Sequence, residues 1–149
     1  MNAELTALRW WHLPAVVRLE RNLFAPEAWS EELFWSELAQ GDMRWYVAAF
    51  QEDALAGYAG LAVGGPEAYV QTLAVAPGQQ RRGLGARLLQ GMIAEATHRG
   101  ARQVGLEVRA DNAGAQRLYA RHDFQVAGRR RGYYQPSGQD ALVMLRDLP

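Results

Sequence analysis

A loop interrupted by glycine, Gln80-Arg81-Arg82-Gly83-Leu84-Gly85, lies between an apolar run at residues 73–75 and a long amphipathic segment. The pattern predicts a strand, a tight loop and then the start of a helix. The first amides of a helix have no partners within it and lie at the positive end of its dipole, so such a loop can bind a phosphate group. Glycine lets the anion approach because it has no Cβ atom. The alternative is a plain helix start in which glycine only permits close packing.

Two nucleotide-binding motifs do not fit this loop. A Walker sequence has lysine and then serine or threonine after its second glycine, whereas Ala86-Arg87 follows Gly85 here. A dinucleotide-binding fingerprint has a third glycine and lies in a first strand–helix unit, whereas this loop lies in the middle of the chain. We therefore expect a phosphorylated ligand of another class.

A second group of polar residues follows the loop. Strand alternation over residues 103–109 places Glu107 on the face opposite its apolar neighbours. Asn112 and Tyr119 are seven residues apart, which is two helical turns, so they lie on one side of a helix. Each also has an ordinary structural explanation: Glu107 as a half-exposed strand carboxylate, Asn112 as a helix N-cap and Tyr119 as a core aromatic.

The elements that position these residues follow from hydrophobic periodicity and turn residues. Predicted strands cover residues 5–9, 45–50, 54–63, 68–75, 103–109, 124–131 and 141–145. Predicted helices cover residues 13–23, 31–39 after the N-cap Ser30, 83–99 and 113–121. The order is β-α-α-β-β-β-α-β-α-β-β. We therefore predict an α+β fold around a mixed sheet, in a single domain over residues 1–149.

Composition excludes several functions. Sixteen basic and 16 acidic residues cancel, which leaves no basic field for nucleic acid. No cysteine is present, so a thiolate nucleophile is excluded, and the three histidines lack metal-ligand spacing, so we expect no metal. We find no leader and no apolar run that could span a bilayer. We expect a cytoplasmic monomer that binds neither nucleic acid nor membrane.

The loop resembles the acetyl-CoA loop of the GCN5-related N-acetyltransferase (GNAT) superfamily, in which Gln-x-x-Gly-x-Gly follows a strand ending in Ala-Val-x-Pro. The order of elements is also that of the superfamily. The second half of the chain resembles the ribosomal-protein-alanine N-acetyltransferase (RimI) branch. The matching residues, in order, are Leu106-Glu107-Val108-Arg109, Asn112, Leu118-Tyr119, Arg129-Arg130-Arg131, Tyr133-Tyr134 and Asp140-Ala141, with Trp29-Ser30-Glu31 earlier in the chain.

The resemblance implies acetyl-CoA as co-substrate. Its pyrophosphate would lie on the loop backbone, and its pantetheine arm would pair with the preceding strand. The residues implied for binding it are Leu73, Ala74, Val75, Gln80, Arg81, Arg82, Gly83, Leu84, Gly85, Ala86, Asn112 and Tyr119.

The resemblance also implies the chemistry. Glu107 would take a proton from the acceptor amine, Tyr119 would donate one to the departing CoA thiolate, and the backbone N–H near Val75 would stabilise the oxyanion. The acceptor would be the N-terminal α-amine of a protein, specifically the N-terminal alanine of a small-subunit ribosomal protein. The residues implied for binding it are Trp29, Glu107, Tyr133 and Tyr134.

Two positions depart from the branch. Asp123 replaces the glycine before Phe124, which predicts a slightly strained left-handed residue at a helix end. Residues 25–28 form a longer loop before Trp29. That loop borders the acceptor site in the family, so two alternatives stay open: transfer to another amine, on a small molecule or a lysine side chain, and a non-catalytic acetyl-CoA sensor.

Overall fold

The computed structural model describes residues 2–149 and contains the predicted elements in the predicted order. Three short 3-10 turns, at Trp10–His12, Gly41–Met43 and Pro77–Gln79, join them. The strands and helices are β1 (Glu4–Ala7), α1 (Leu13–Phe24), α2 (Glu31–Leu38), β2 (Arg44–Gln51), β3 (Ala54–Ala62), β4 (Glu67–Val75), α3 (Leu84–His98), β5 (Gln103–Arg109), α4 (Ala113–Arg121), β6 (Gln125–Arg130) and β7 (Ala141–Asp147). The prediction of an α+β fold is confirmed.

The sheet is mixed, and two of its neighbouring strands, β4 and β5, separate along part of their length. Its order is β1-β2-β3-β4-β5-β7-β6, and only β4 and β5 run parallel, with α3 as the crossover between them. They pair only from Glu67 with Gln103 to Tyr69 with Gly105 and then separate. Gln71 is an extra residue in β4 at that point, because Val70 and Thr72 face consecutive residues of β3. A gap therefore opens between the second halves of β4 and β5.

Helices cover both faces of the sheet, which explains why its central strands are almost continuously apolar. Leu88 and Met92 of α3 pack in the cluster on one face. Val16 of α1 and Phe34 of α2 pack with Tyr58 of β3 on the other. No helix in the described part of the chain is long and apolar enough to cross a membrane.

Helix caps agree with the prediction, and strand ends differ from it by a few residues. Ser30 Oγ accepts from Leu33 N at 3.2 Å, and Asn112 Oδ1 accepts from Ala115 N at 3.1 Å, so both are N-caps. β1 ends at Ala7 because Arg9 already caps the turn that begins at Trp10. β7 continues past residue 145 because its end pairs with the start of β5.

Candidate active site

A cavity of about 550 Å³ lies where β4 and β5 separate. Its walls come from β4, β5, the start of α4 and two loops, the segment between α1 and α2 and the segment between β6 and β7. Six of the residues singled out from the sequence line it: Trp29, Leu73, Glu107, Asn112, Tyr119 and Tyr134. Residues separated by up to 105 positions thus meet around one space.

Glu107 is fixed in this cavity by groups from two other strands and a loop. Its Oε1 accepts from the Tyr69 hydroxyl at 2.5 Å and, at 3.5 Å, from the Tyr133 hydroxyl. Arg130 Nε lies 2.8 Å from Oε2 as an ion pair without hydrogen-bond geometry. Oε2 is buried and has no hydrogen-bond donor among the described residues. Glu107 is therefore held through Oε1 by hydrogen bonds and through Oε2 by the charge of Arg130.

Tyr119 is positioned by the end of α4. Asp123 N donates to Ala120 O and Phe124 N donates to Tyr119 O, both at 3.1 Å, the two bonds that close a helix on a left-handed residue. The Tyr119 hydroxyl has no hydrogen-bond partner within residues 2–149. Burial raises the pKa of Tyr119, with a smaller contribution from Tyr134. The phenol therefore stays protonated at neutral pH and can act as a proton donor.

The backbone of β4 turns two amides toward the gap. Ala76 N donates to Ala56 O, so the neighbouring pair of Gly57 and Val75 does not exchange hydrogen bonds. By alternation, Ala74 uses its backbone groups to pair with β3, whereas Leu73 and Val75 direct theirs toward the side of β5. Of these two, only Leu73 lines the cavity.

The glycine loop leads from β4 into α3. Gly83 is the residue before α3 and has a φ of +83°, while an added Cβ there would meet no atom within 4 Å. The left-handed backbone is therefore one reason for glycine at this position. The first helical bond joins Arg87 N to Gly83 O, so the amides of Leu84, Gly85 and Ala86 have no intrahelical acceptor. These groups lie outside the lining of the cavity.

The side chains of the loop have different surroundings. Gln80 Nε2 donates to Val75 O at 3.1 Å and ties the loop to the end of β4. Arg81 and Arg82 are exposed, and Arg81 adopts a φ of +65°. Arg87 is already engaged, because its Nη1 donates to Ala3 O at 2.8 Å. The two exposed arginines are therefore the ones free to meet an anion.

A buried carboxylate holds the loop between α1 and α2 at Trp29. Glu20 of α1 accepts from Trp29 N at 2.9 Å and from the Tyr58 hydroxyl at 2.5 Å. Burial raises the pKa of Glu20, and the two hydrogen bonds oppose that rise. The Trp29 ring packs against Phe34, with 5.2 Å between ring centroids.

The two adjacent tyrosines of the β6–β7 segment are placed differently. Tyr134 lines the cavity, and burial, followed by the charge of Glu107, raises the pKa of Tyr134 to about 12. Tyr133 does not line the cavity and is 47% exposed, with its hydroxyl near Glu107 and its ring edge-on to Tyr134 at 5.1 Å. The structure thus brings Tyr134 into the cavity and leaves Tyr133 at its rim.

Sequence reasoning missed Tyr69, Glu20 and Glu27, which all contact residues of the site or its loops. Tyr69 could have been found by noting that β4 and β5 are neighbours and that alternation can turn a tyrosine toward Glu107. Glu20 carried a signal as a carboxylate on the apolar face of α1. In the described residues there is no group of three histidine, aspartate or glutamate side chains that could hold a metal ion.

Comparison with known proteins gives a consistent result. The family model described as "Acetyltransferase (GNAT) family" matches residues 7–124. A Mycobacterium tuberculosis protein named N-alpha-acetyltransferase RimI is 43% identical over 134 residues, which cover 87% of this chain and 82% of that protein.

Solved structures match over nearly the whole chain. The crystal structure of the ribosomal-protein-S18-alanine N-acetyltransferase from Escherichia coli aligns with a TM-score of 0.87 and 36% identity, covering 97% of this chain and 93% of the other. The structure of Arabidopsis thaliana NAA60 in complex with acetyl-CoA has a TM-score of 0.87 at 22% identity, covers 99% of each chain and shows a shared fold.

Proposed function

Because the chain belongs to the GNAT acetyltransferase family, we propose that it transfers the acetyl group of acetyl-CoA directly to the N-terminal α-amine of a protein, specifically the N-terminal alanine of a small-subunit ribosomal protein. The observation that carries the proposal is one cavity, where β4 and β5 separate, lined by Glu107, Tyr119 and Leu73. The similarity to proteins named for acetylation of the N-terminal alanine of S18 supports this acceptor.

Acetyl-CoA would supply an acetyl group activated as a thioester. The free amides at the start of α3 suit its pyrophosphate, since Gly83 turns the backbone there and the helix dipole favours an anion. The outward N–H groups of Leu73 and Val75 and the outward C=O group of Leu73 suit the amides of its pantetheine arm. The structure therefore fits acetyl-CoA at both the phosphates and the arm.

Glu107 takes the role of general base. An α-amine has a pKa of about 8, so much of it is protonated at neutral pH and cannot attack a carbonyl. The carboxylate of Glu107, which lines the cavity, can accept that proton directly or through a water molecule. Tyr69 holds the carboxylate in place through Oε1.

We assign oxyanion stabilisation to the Leu73 amide in preference to that of Val75. Both amides point toward β5, but only Leu73 lies in the cavity with Glu107 and Tyr119. Because pairing with β3 holds β4 in place, the Leu73 N–H needs no reorganisation as negative charge develops on the carbonyl oxygen.

Tyr119 takes the role of general acid. Its pKa is raised by burial, so its hydroxyl carries a proton at neutral pH, and no protein group competes for that proton within residues 2–149. Donating it to the departing thiolate, whose conjugate acid has a pKa of about 8.5, makes CoA a better leaving group.

The proposal is tested with a peptide that begins with alanine, alongside a copy with a blocked N-terminus and a free lysine. Mass spectrometry after incubation with acetyl-CoA should show one added acetyl group on the first peptide alone. Acetylation of the blocked peptide would instead favour a lysine acceptor. Binding of CoA without transfer to either peptide would favour a sensor or a small-molecule acceptor.

Variants test the assigned roles. Tyr119→Phe should lower kcat by about 100-fold or more, the usual contribution of a general acid, while the Kd for acetyl-CoA stays within about twofold. Glu32→Gln, which removes a carboxylate from an exposed position on α2, is the control and should leave kcat unchanged. Unchanged turnover in Tyr119→Phe would contradict the assignment.

A further inference from the structure

Glu27 lies in the loop between α1 and α2, and its carboxylate joins two distant parts of the chain. Oε1 pairs with Nη1 of Arg109, at the end of β5, and Oε2 accepts from Ser137 N at 3.1 Å. These partners are 82 and 110 positions away in the sequence, yet the Glu27 side chain is only 9% exposed. Because Arg109 is 31% exposed, the ion pair is partly buried, which separates it from ordinary surface ion pairs, which contribute little.

The partners of Glu27 are themselves held in place. Arg109 makes a two-pronged contact with Asp111, at 3.0 Å from Nε to Oδ1 and from Nη2 to Oδ2, and its guanidinium lies 5.7 Å from the Tyr134 ring centre. In the β6–β7 loop, Tyr134 N donates to Gln139 O at 3.0 Å. Glu27 thus connects the α1–α2 loop to Arg109 at the end of β5 and to Ser137 in the β6–β7 loop, which have contacts of their own.

This tie has no substitute between the two loops. Among the described residues, the bond from Ser137 to Glu27 is the only hydrogen bond between residues 25–29 and residues 132–140. Both sides of it form the wall of the cavity, where Ala25, Pro26, Glu27 and Trp29 face Tyr134 and Ser137. The glycine loop and the start of α3 lie elsewhere.

We propose that Glu27 is a positioning residue for the acceptor. By fastening the α1–α2 loop to Ser137 and Arg109, it holds the acceptor end of the cavity in one shape before the acceptor arrives. Ordering these loops in advance lowers the entropic cost of binding, so acceptor binding depends on Glu27 while acetyl-CoA binding does not. This inference rests on the proposed function.

Two variants separate the contacts. Glu27→Ala removes both, and we expect it to raise the KM for the alanine-starting peptide about tenfold, the effect of losing roughly 1.4 kcal/mol of preorganisation. Glu27→Gln keeps an acceptor for the Ser137 amide but loses the charge opposite Arg109, so its KM should lie between those of the wild type and Glu27→Ala. The KM for acetyl-CoA should stay unchanged in both variants, and kcat should change by less than about twofold. Glu32→Gln is the matched control.

Hydrogen–deuterium exchange of the protein without substrates provides a readout that does not depend on activity. Glu27→Ala should speed exchange in the segments containing residues 25–29 and 132–140, and should leave residues 80–90 unchanged. Faster exchange with an unaltered acceptor KM would overturn the positioning role, and unaltered exchange would overturn the tie itself. If the wild type acetylates no peptide, the proposed function fails, and the acceptor role of Glu27 fails with it, while the exchange result still decides whether the tie exists.

Discussion

Replacing Asp123 with glycine should stabilise the protein. Asp123 follows α4 with a φ of +68°, in the left-handed region where a Cβ atom is strained. Its N–H and that of Phe124 close the helix on Ala120 O and Tyr119 O. The helix end therefore requires the left-handed backbone conformation at residue 123, and the Cβ atom of aspartate is strained in that conformation.

The size of the effect follows from three contributions. Removing the Cβ relieves about 1 kcal/mol of strain, somewhat less than for other residues because aspartate tolerates this conformation. Removing a negative charge from the C-terminal end of a helix adds about 0.5 kcal/mol. Glycine gives back about 0.7 kcal/mol because it makes the unfolded chain more flexible. The free energy of unfolding therefore rises by about 0.8 kcal/mol, which corresponds to a rise in Tm of roughly 2–4 °C.

Urea unfolding of the wild type, Asp123→Asn and Asp123→Gly measures these contributions separately. Asparagine removes the charge and keeps a side chain that tolerates the left-handed region, so it reports the charge effect alone. Glycine should be more stable than asparagine by about 0.3 kcal/mol, because the relief of about 1 kcal/mol of strain exceeds the cost of about 0.7 kcal/mol for the more flexible unfolded chain. If Asp123→Gly were no more stable than Asp123→Asn, the argument from strain would be refuted. Because the backbone is preserved, turnover should not change.

Two further substitutions test other parts of the structure. Gly83→Ala should raise the Kd for acetyl-CoA several-fold in calorimetric titration, since the φ of +83° at this position costs alanine about 1 kcal/mol. The control is Gly78→Ala, at a position without a positive φ, which should leave that Kd unchanged. Equal Kd values for the two variants would contradict the assignment of the glycine loop to acetyl-CoA. Glu20 has a pKa raised by burial, so the folded state binds its proton more tightly than the unfolded state does. The wild type should therefore lose stability relative to Glu20→Gln as pH rises from 4.5 upward, and a difference independent of pH in urea unfolding would contradict this.

Features encoded by neighbouring residues could be predicted from the sequence. The caps Ser30 and Asn112 and the left-handed Asp123 each depend on a few adjacent positions. The fold class also followed, because seven apolar strand patterns and four helical ones leave few ways to cover a mixed sheet. Strand ends were less certain because they depend on which strands pair, as at the end of β7 beside β5.

The surroundings of Glu107 could not be predicted in the same way. Tyr69, Arg130 and Tyr133 come from two other strands and a loop, and they meet the carboxylate because of the order in which the strands of the sheet pair. The amide that we propose for the oxyanion could not be chosen from the sequence either. Alternation along β4 permits the amide of Leu73 or that of Val75, and only Leu73 lines the cavity where β4 and β5 separate.

The two halves of the site therefore differ in how the chain encodes them. The groups that suit acetyl-CoA lie within residues 73–86, so one strand, loop and helix start keep their geometry together. The acceptor end that we propose is assembled from separate segments, and a single carboxylate, Glu27, provides the one hydrogen bond between its two loops within residues 2–149. On this proposal, a substitution of Glu27 changes how the acceptor is held and leaves the glycine loop in place. Acceptor preference would then depend on the hydrogen bond between Glu27 and Ser137 as well as on the residues that touch the acceptor.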